Sequence, residues 1–517
     1  MKNKGAIACG HPETAKAAAQ ILNEGGNAFD AVISAHLAAC VAEPILSSLG
    51  GGGFLTAHTA EGQNIVYDFF AHTPHVKRPL TEIDFYPITA DFGETTQEFH
   101  IGMGSIATPG SVRGIFNIHK DLGSLPFSLI AEPAIKLAKA GVEINSFQAY
   151  ILDVIKPIYQ HDHTCFDIFK SLIPNSERKL LQSGETLKCL DLADTLEELV
   201  KEGEQLFYEG EIAESIVKAC RENGGLLSLA DFKNYKVVKR EPLSLSYRDY
   251  RIFTNPPPSS GGILVAFALS LLKAFNVNEI VNQTSSYFEL LTLIMKMSNK
   301  ARLDTESKQY TEIGQHILDE AFLQRYRKEV ADNFSFSRGT TQISVIDSYG
   351  NIASLTTSNG EGSSYIAPGS GIILNNMLGE EDLNPHGFNH WRVNQRISSM
   401  MAPTILFDDK QNAYSLGSGG SNRIRSAILQ ALVQLIDYQQ DLHAAIECPR
   451  IHYENDLLSV EYGASNKEAP DDFCKGERKE YWNARNLFFG GVHAVCSTKN
   501  GFDGKGDPRR GGAAIIL

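Results

Sequence analysis

The first part of the chain alternates apolar helical stretches with a glycine-rich segment and short strands. Alanine, isoleucine and leucine recur at helical spacing over residues 13–23, and residues 28–41 are apolar enough for a buried helix. Four consecutive glycines follow at 50–53, and the apolar runs 54–57 and 65–68 predict two strands. Such a glycine run indicates either a flexible loop or a backbone segment that passes close to another group.

The middle of the chain, from about residue 125 to 335, is mainly helical in pattern. Stretches 129–140, 212–221 and 287–302 carry apolar residues at helical spacing and are separated by short polar turns. Segment 255–262 contains three prolines followed by Ser-Ser-Gly-Gly, and it fits neither a helix nor a central strand because proline has no amide donor. We expect a rigid loop there, leading into a helix over 263–274.

The pattern changes to strands after residue 339. Residues 342–347 and 352–357 predict a hairpin around a Ser-Tyr-Gly-Asn turn, and the runs 372–374 and 404–407 add further strands. An amphipathic helix is expected over 424–437. Strands followed by a helix, joined to a mostly helical first part, favour an α+β layered sandwich.

Composition places the chain among ordinary globular proteins. Of its 517 residues 43% are hydrophobic and 21% charged, which argues against long disorder, collagen and coiled coils. The net charge of −14 makes binding to a nucleic-acid backbone or to an anionic membrane surface a poor expectation. We therefore expect neither a nucleic-acid partner nor a membrane partner.

The compartment is predicted from the cysteines and from the first residues. Eight cysteines are spread along the chain without a C-x-x-C pair, which is typical of buried reduced thiols. The first residues reach His11-Pro12 before an apolar export segment forms, and no run of about 18 apolar residues occurs. These features predict a cytoplasmic protein.

The most informative candidate for chemistry is the junction between Gly339 and Thr340. The sequence contains no phosphate-binding loop of the G-x-x-x-x-G-K-[ST] type and no G-x-S-x-G elbow. If the bond after Gly339 is cut, Thr340 carries both a hydroxyl nucleophile and an α-amine that is partly neutral near pH 7. The plainer alternative is that Thr340 and Thr341 are ordinary β-branched strand residues.

Two further segments carry groups that an acyl-transfer site needs. Ser398 and Ser399 place paired hydroxyls just before a strand, and the loop 417–423 places glycine amides at the start of a helix. Backbone amides in such a position can stabilise an oxyanion. Either segment alone is weak evidence, because serine and glycine are common in loops.

Taken together, the motifs of this chain resemble the γ-glutamyltransferase (γ-glutamyltranspeptidase) family over nearly its whole length. The matching motifs, in chain order, are Gly-Gly-Asn-Ala-Phe-Asp-Ala at 25–31, Gly-Gly-Gly-Gly-Phe at 50–54, Ala-Thr-Pro-Gly at 107–110, Glu-Pro-Ala-Ile at 132–135, Pro-Pro-Pro-Ser-Ser-Gly-Gly at 256–262, Gly-Thr-Thr at 339–341, Ser-Val-Ile-Asp at 344–347, Ser-Ser-Met at 398–400, Gly-Gly at 419–420, Gly-Val-His-Ala at 491–494 and Asp-Pro-Arg-Arg-Gly-Gly at 507–512.

The resemblance implies a fold, a maturation step and a reaction. The fold would be the four-layer αββα sandwich of N-terminal-nucleophile hydrolases, and the precursor would cut itself into a large segment 1–339 and a small segment 340–517 that together form one catalytic unit. Thr340 would attack a γ-glutamyl amide such as glutathione and pass the acyl group to water or to an amine acceptor, with no cofactor and no metal. A higher homo-oligomer of the processed heterodimer stays open.

The resemblance also assigns roles to individual residues. Gly419 and Gly420 match the oxyanion hole, and Ser398 and Ser399 match residues that hold the substrate α-carboxylate. The acid that pairs with the α-ammonium is best matched by Glu380, with Glu381 or Asp382 as alternatives. Ser358 or Thr357 matches a second hydroxyl residue that hydrogen-bonds the nucleophile. Asn359 matches an asparagine of the substrate pocket.

One departure bears on the substrate. Phe70 stands where the family commonly has an arginine that binds the α-carboxylate, and losing one charge-assisted bidentate contact costs on the order of 1.5–3 kcal/mol. Either another cation serves, with His72, Arg396 and Arg423 as candidates, or the substrate lacks that carboxylate. The alternatives are thus a γ-glutamyl enzyme, an acylase for a glutaryl-type group, and an unprocessed homologue without activity.

Overall fold

A computed structural model of the chain describes residues 4–91, 96–173, 179–306, 317–319, 322–323, 326, 340–384, 387–454, 456–461 and 473–517. Its strands are β1 (Gly5–Cys9), β2 (Gly52–His58), β3 (Asn64–Phe69), β4 (Tyr86–Asp91), β5 (Thr96–Ile101), β6 (Val142–Glu143), β7 (Thr186–Leu187), β8 (Val238–Arg240), β9 (Leu243–Tyr247), β10 (Tyr250–Thr254), β11 (Thr341–Asp347), β12 (Ile352–Ser358), β13 (Ile366–Ala367), β14 (Ile372–Ile373), β15 (Thr404–Asp408), β16 (Ala413–Gly419), β17 (Ile451–Glu454), β18 (Leu457–Glu461), β19 (Arg478–Trp482), β20 (Gly491–Thr498), β21 (Gly501–Lys505) and β22 (Ala513–Ile516).

Helices make up much of the segment before residue 340 and recur near the C-terminus. They are α1 (Pro12–Asn23), α2 (Ala28–Ala42), α3 (Ser111–Leu122), α4 (Phe127–Ala140), α5 (Ser146–Val154), α6 (Lys156–Tyr159), α7 (His163–Phe169), α8 (Leu190–Glu202), α9 (Gln205–Tyr208), α10 (Glu211–Glu222), α11 (Leu229–Asn234), α12 (Ser260–Leu272), α13 (Ser285–Glu306), α14 (Arg423–Ile436) and α15 (Leu442–Glu447).

Two antiparallel sheets form the centre of the molecule. One has the strand order β22-β1-β11-β12-β2-β3-β8, and the other has the order β21-β20-β16-β15-β10-β9. The sheets face each other through β1, β11 and β12 on one side and β16 and β20 on the other. Helices α1–α3 pack on the outer face of the first sheet and α14 and α15 on that of the second, which confirms the expected αββα sandwich.

Helix α2 shows why the first helical layer can lie so close to the sheet. All of its residues are buried, and most of those facing α1 and the sheet are small, so the backbones approach closely. The Asn27 side chain accepts hydrogen bonds from the N–H groups of Phe29 and Asp30, and the Asp30 carboxylate accepts from the Asn27 N–H. This capping box fixes where the helix begins.

The segments before and after residue 340 are interleaved within the first sheet. Strand β1 lies between β11 and β22, so it is hydrogen-bonded on both sides to strands of the second segment. Strand β12 is likewise paired with β2 of the first segment. A cut at residue 340 therefore leaves both pieces joined by hydrogen-bonded strands.

The glycine run at 50–53 is a buried segment that passes close to other backbone. A Cβ atom on Gly51 would lie 2.3 Å from the carbonyl oxygen of Ser358, a distance that no side chain tolerates. Of the two interpretations of these glycines, the structure supports close approach, and the neighbouring group is protein backbone. The glycines allow the chain to pack beside the end of β12.

Candidate active site

Thr340 lies immediately before β11, is buried, and borders a cavity of about 310 Å³, part of which is open to solvent. Gly339, its partner in the predicted cut, lies outside the described residues. The other described residues around the cavity are Phe70, Ser358, Gly360, Met377, Glu380, Leu383, Ser399, Met400, Met401, Ser421 and Ile424. Residues from distant parts of the sequence thus meet where the two sheets end.

The structure distinguishes the two candidates for the second hydroxyl. Strands β11 and β12 pair with Thr341 opposite Thr357, so Thr340 continues the register opposite Ser358. Ser358 lines the cavity, whereas Thr357 points to the helical side, where its Oγ1 lies 3.2 Å from Ser47 Oγ in a hydrogen bond. Since successive strand residues face opposite sides, only Ser358 can share the cavity with the nucleophile.

Replacing Ser358 by alanine should slow turnover about three- to tenfold, the usual effect of losing one hydrogen bond. Thr357→Val is the matched control, because it removes a neighbouring hydroxyl from the opposite face of the strand. Steady-state rates of both variants on the same amide substrate make the comparison. A larger loss in Thr357→Val than in Ser358→Ala would contradict this assignment.

The two glycines proposed for the oxyanion hole lie at the end of β16. A Cβ atom on Gly419 would lie 2.1 Å from the carbonyl oxygen of Thr340, so only glycine permits this approach. Gly420 has a φ of +121°, which L side chains rarely adopt. Neither residue is among those that line the cavity; Gly419 lies beside the backbone of Thr340, and Gly420 lies beside Gly490. Their role in binding an oxyanion stays a prediction.

The paired serines are held by the proline-rich loop. Ser398 Oγ donates to the carbonyl of Pro258 at 2.8 Å, and it does not line the cavity. The Ser399 carbonyl accepts from the Ser260 N–H at 2.9 Å, while the Ser399 side chain accepts from the Met401 N–H at 3.1 Å. Ser399 is thus the one of the two that reaches the cavity, on a backbone that the loop keeps fixed.

Glu380 is the acid that the structure brings to the cavity. It is buried, and its Oε1 accepts a hydrogen bond from the N–H of Glu361 at 3.2 Å. Glu381, one of the alternatives, is exposed and does not line the cavity, and the side chain of Asp382 lies outside what the structure describes. Asn359 does not line the cavity either; it is fully buried, and its side-chain amide has no hydrogen-bond partner among the described residues.

Phe70 lies in the cavity wall, with its ring centroid 5.5 Å from that of Phe54. Arg396 lies behind it, where its Nε is 3.1 Å from Asp68 Oδ1 and its guanidinium covers the Tyr235 ring. This cation is therefore already paired, and it is outside the cavity.

The two other candidate cations also lie away from the substrate cavity. Arg423 is fully buried and its guanidinium lies 4.8 Å from the centre of the Phe488 ring. Burial lowers the pKa of His72, which favours the neutral imidazole. None of the described residues around the cavity is an arginine, lysine or histidine.

Two charged residues that contact Thr340 and Thr341 were not among the predicted site residues. Arg510 Nη1 donates to the Thr340 carbonyl at 3.1 Å, and burial lowers the pKa of this guanidinium to about 10. Glu43 accepts a hydrogen bond from Thr341 Oγ1 at 2.9 Å. Arg510 belongs to a motif that matches the family, which was the only available signal; Glu43, on the opposite side of β11, had none.

Comparison with known proteins identifies the family. The family model described as Gamma-glutamyltranspeptidase matches residues 14–517. The chain belongs to the γ-glutamyltranspeptidase family. It is an N-terminal-nucleophile hydrolase by superfamily, as its motifs had indicated, and its relatives are enzymes.

Relatives of this family member carry different activities in their names. The chain is 29% identical to a glutathione hydrolase proenzyme of Bacillus subtilis strain 168, over 99% of this chain and 91% of that protein. It is also 29% identical to the acylase ACY 1 proenzyme of Pseudomonas sp. strain V22, over 92% and 87%. The crystal structure of cephalosporin acylase from Bacillus halodurans is similar in fold, with a TM-score of 0.83 at 23% identity over 99% and 96% of the two chains.

The described residues contain neither a metal-binding cluster nor a membrane-spanning helix. No group of three or more histidine, cysteine, aspartate or glutamate side chains in these ranges is arranged to hold a metal ion. Within the same ranges, no helix combines the length and the apolar character needed to cross a membrane.

Proposed function

We propose that this chain becomes an amide-cleaving acyl-transfer enzyme by cutting itself between Gly339 and Thr340. The cut consumes one water and leaves a carboxylate on Gly339 and an α-amine on Thr340. The observation that carries the proposal is the position of Thr340, which is buried immediately before β11 and borders a cavity that Ser358 also lines. Because nucleophile and base then belong to one residue, no further base is required.

The reaction proceeds in two steps. The Thr340 hydroxyl oxygen attacks the amide carbon of the donor, its proton passes by way of the α-amine to the leaving nitrogen, and the amine departs as the acyl ester forms. Water or an acceptor amine then attacks the ester, releasing a carboxylic acid or a new amide and restoring the hydroxyl. The Gly419 and Gly420 amides would stabilise the oxyanion in both steps.

The first candidate for the donor is a γ-glutamyl amide such as glutathione. A buried carboxylate at Glu380 would pair with the α-ammonium group of such a donor, and a charge-assisted hydrogen bond in a buried site is strong. Ser399 supplies a further polar group in the cavity wall. The glutathione hydrolase proenzyme among the relatives makes this donor class the first to test.

A second candidate is an acylase for another acyl group. Half of the residues around the cavity are apolar, namely Phe70, Met377, Leu383, Met400, Met401 and Ile424. A γ-glutamyl carboxylate meets no cation among the described residues there, and Phe70 presents an aromatic ring in its place. Phe70 therefore favours an acyl group whose binding depends less on a cation that pairs with a carboxylate. A glutaryl group has a carboxylate that needs such a cation. An acylase is among the relatives.

Pre-steady-state kinetics test the acyl-enzyme directly. Mixing the processed protein with γ-glutamyl or glutaryl anilides should release a burst of about one aniline per active site before slower turnover, since acylation and deacylation are separate steps. Mass spectrometry of the quenched reaction should find the acyl group on the fragment that begins with Thr340. If the protein turns over with the acyl group on another residue, the proposal is contradicted. If the protein stays uncut and shows no turnover, the hypothesis of an inactive homologue is supported.

We also propose that the enzyme works in the cytoplasm. All eight cysteines are free, and burial raises the pKa of several of them, that of Cys40 to about 12. Buried neutral thiols are compatible with a reducing compartment. Fractionation of the producing cells with an antibody against the small segment checks this, and recovery outside the cytoplasm would overturn it.

A further inference from the structure

The proposed cut creates a problem of order at the nucleophile. Thr340 becomes the first residue of a chain, and free chain ends fray unless neighbouring groups hold them. The paired register of β11 begins at Thr341, so Thr340 precedes the first ladder pair. Catalysis needs the hydroxyl fixed to within a fraction of an ångström. Contacts outside the β-ladder must supply that order.

The first such contact holds Thr341 from the helical side of the sheet. Thr341 Oγ1 donates to Glu43 Oε2 at 2.9 Å, and the other carboxylate oxygen of Glu43 accepts from Thr14 Oγ1 at 3.0 Å. Glu43 directly follows α2, and Thr14 lies in α1. All three side chains are buried. The carboxylate therefore ties the second residue of the new chain to two helices of the large segment.

The second contact holds Thr340 itself from the C-terminal part of the chain. Arg510 Nη1 donates to the Thr340 carbonyl at 3.1 Å. The turn that carries Arg510 is fixed by Asp507, whose Oδ2 accepts from Arg450 Nη2 at 2.7 Å and from the Val492 N–H at 2.9 Å. The donor is thus attached to a rigid part of the second segment.

We infer that Glu43 and Arg510 are positioning residues that hold the N-terminal nucleophile from two directions, Glu43 through the Thr341 side chain and Arg510 through the Thr340 carbonyl. The inference rests on the proposed function of Thr340. Neither residue is required to touch the substrate. Each residue restrains the start of the new chain, where the hydrogen bonds of the β-ladder end.

The surroundings of Glu43 give this role a pH signature. Burial raises the pKa of Glu43 to about 7, while its hydrogen bonds to the two threonines and the charge of Arg510 oppose that rise. Its ionisable neighbours include Cys9 in β1 and Cys40 in α2, whose thiol pKa values burial raises, and His11, which lines the same pocket and whose pKa burial lowers, so burial favours the neutral form of all three. Glu43 thus gains negative charge near neutral pH while it is hydrogen-bonded to Thr341, the residue that follows Thr340.

The deciding experiment compares two threonines that share the same carboxylate. Thr341→Val should lower kcat about tenfold or more with KM changed less than twofold, and should slow self-cleavage, because this hydroxyl connects Glu43 to the residue beside the nucleophile. Thr341→Ser should restore kcat to within about threefold. Thr14→Val loses the other bond to Glu43 and should stay within about threefold of wild type. Equal losses in the two valine variants, at equal melting temperatures, would overturn the inference.

A pH profile separates positioning from general stability. In Glu43→Gln the acid limb of kcat/KM should move to lower pH, because a neutral amide no longer favours the protonated α-amine of Thr340. An unmoved limb contradicts the role of Glu43. The wild type reports separately on the proposed function: if it neither cuts itself nor turns over, that proposal fails, whereas an active wild type with normal Thr341→Val defeats only this inference.

Discussion

A chain carrying Thr340→Ala is expected to stay a single 56.7 kDa polypeptide and to lose at least about 10³-fold in amide hydrolysis. The variant lacks the hydroxyl that opens the bond after Gly339 and that accepts the acyl group. The wild type should instead give fragments of about 37 kDa and about 19.5 kDa, in proportion to residues 1–339 and 340–517. Intact-mass spectrometry, a denaturing gel and N-terminal sequencing provide the measurement.

Thr340→Ser is the matched control for this experiment. It keeps the hydroxyl and the α-amine and loses only a methyl group, so it should still be processed, at a lower rate. Wild-type protein that is folded but uncut would favour the inactive homologue, because the free α-amine would be missing. Processing of Thr340→Ala at the same bond would show that another group performs the cut.

The elements of the fold could be predicted because each depends on local pattern. Helices expected over 129–140 and 212–221 occur as α4 and α10, and the hairpin after residue 339 occurs as β11 and β12. Their apolar spacing follows the helical and strand periods along a single stretch of chain. The αββα arrangement came from the resemblance to the family, because the order of strands in a sheet depends on contacts between distant segments.

The site residues were harder to predict where a shift of one position along a strand decides which side chain faces the cavity. Thr357 and Ser358 both carry hydroxyls, and the match to the family motifs in this stretch was uncertain by one residue. The sequence therefore left the choice between them open. Strand geometry resolves it, because adjacent residues face opposite sides and only Ser358 is opposite Thr340. Asn359, the residue after Ser358, does not line the cavity.

Side chains that act through long-range contacts left little signal in the sequence: Arg510 had only its family motif, and Glu43 had none. Glu43 reaches Thr341 across 298 positions of sequence, and Arg510 reaches Thr340 across 170. Gln342 makes shorter-range contacts: its amide donates to Ser344 on the same strand and to Ser354 on the neighbouring strand at 3.0 Å each. Burying these polar groups without hydrogen-bond partners would cost free energy. Their roles can therefore be assigned only when the structure shows the partner of each.

Substrate choice depends on the charges that the cavity presents. Glu380 contributes a carboxylate, and no described residue around the cavity contributes a cation. Four anilides separate the consequences: γ-glutamyl has both the amine and the carboxylate, 4-aminobutyryl only the amine, glutaryl only the carboxylate, and butyryl neither. If the cavity recognises the amine alone, 4-aminobutyryl anilide should be cleaved at least as efficiently as the γ-glutamyl compound.

Glu380→Gln should change the ranking of these four substrates. For the two amine-bearing anilides kcat/KM should fall about 10- to 100-fold, the effect of losing a charge-assisted hydrogen bond of 1.5–3 kcal/mol. Glutaryl anilide should improve, because a negative charge no longer repels its carboxylate, and butyryl anilide should change little. Glu381→Gln, an exposed neighbour, is the matched control and should leave all four rates unchanged. A uniform loss on all four substrates would instead assign Glu380 to the structure of the cavity wall, where its carboxylate accepts the Glu361 N–H, and would leave the ammonium site to be found elsewhere.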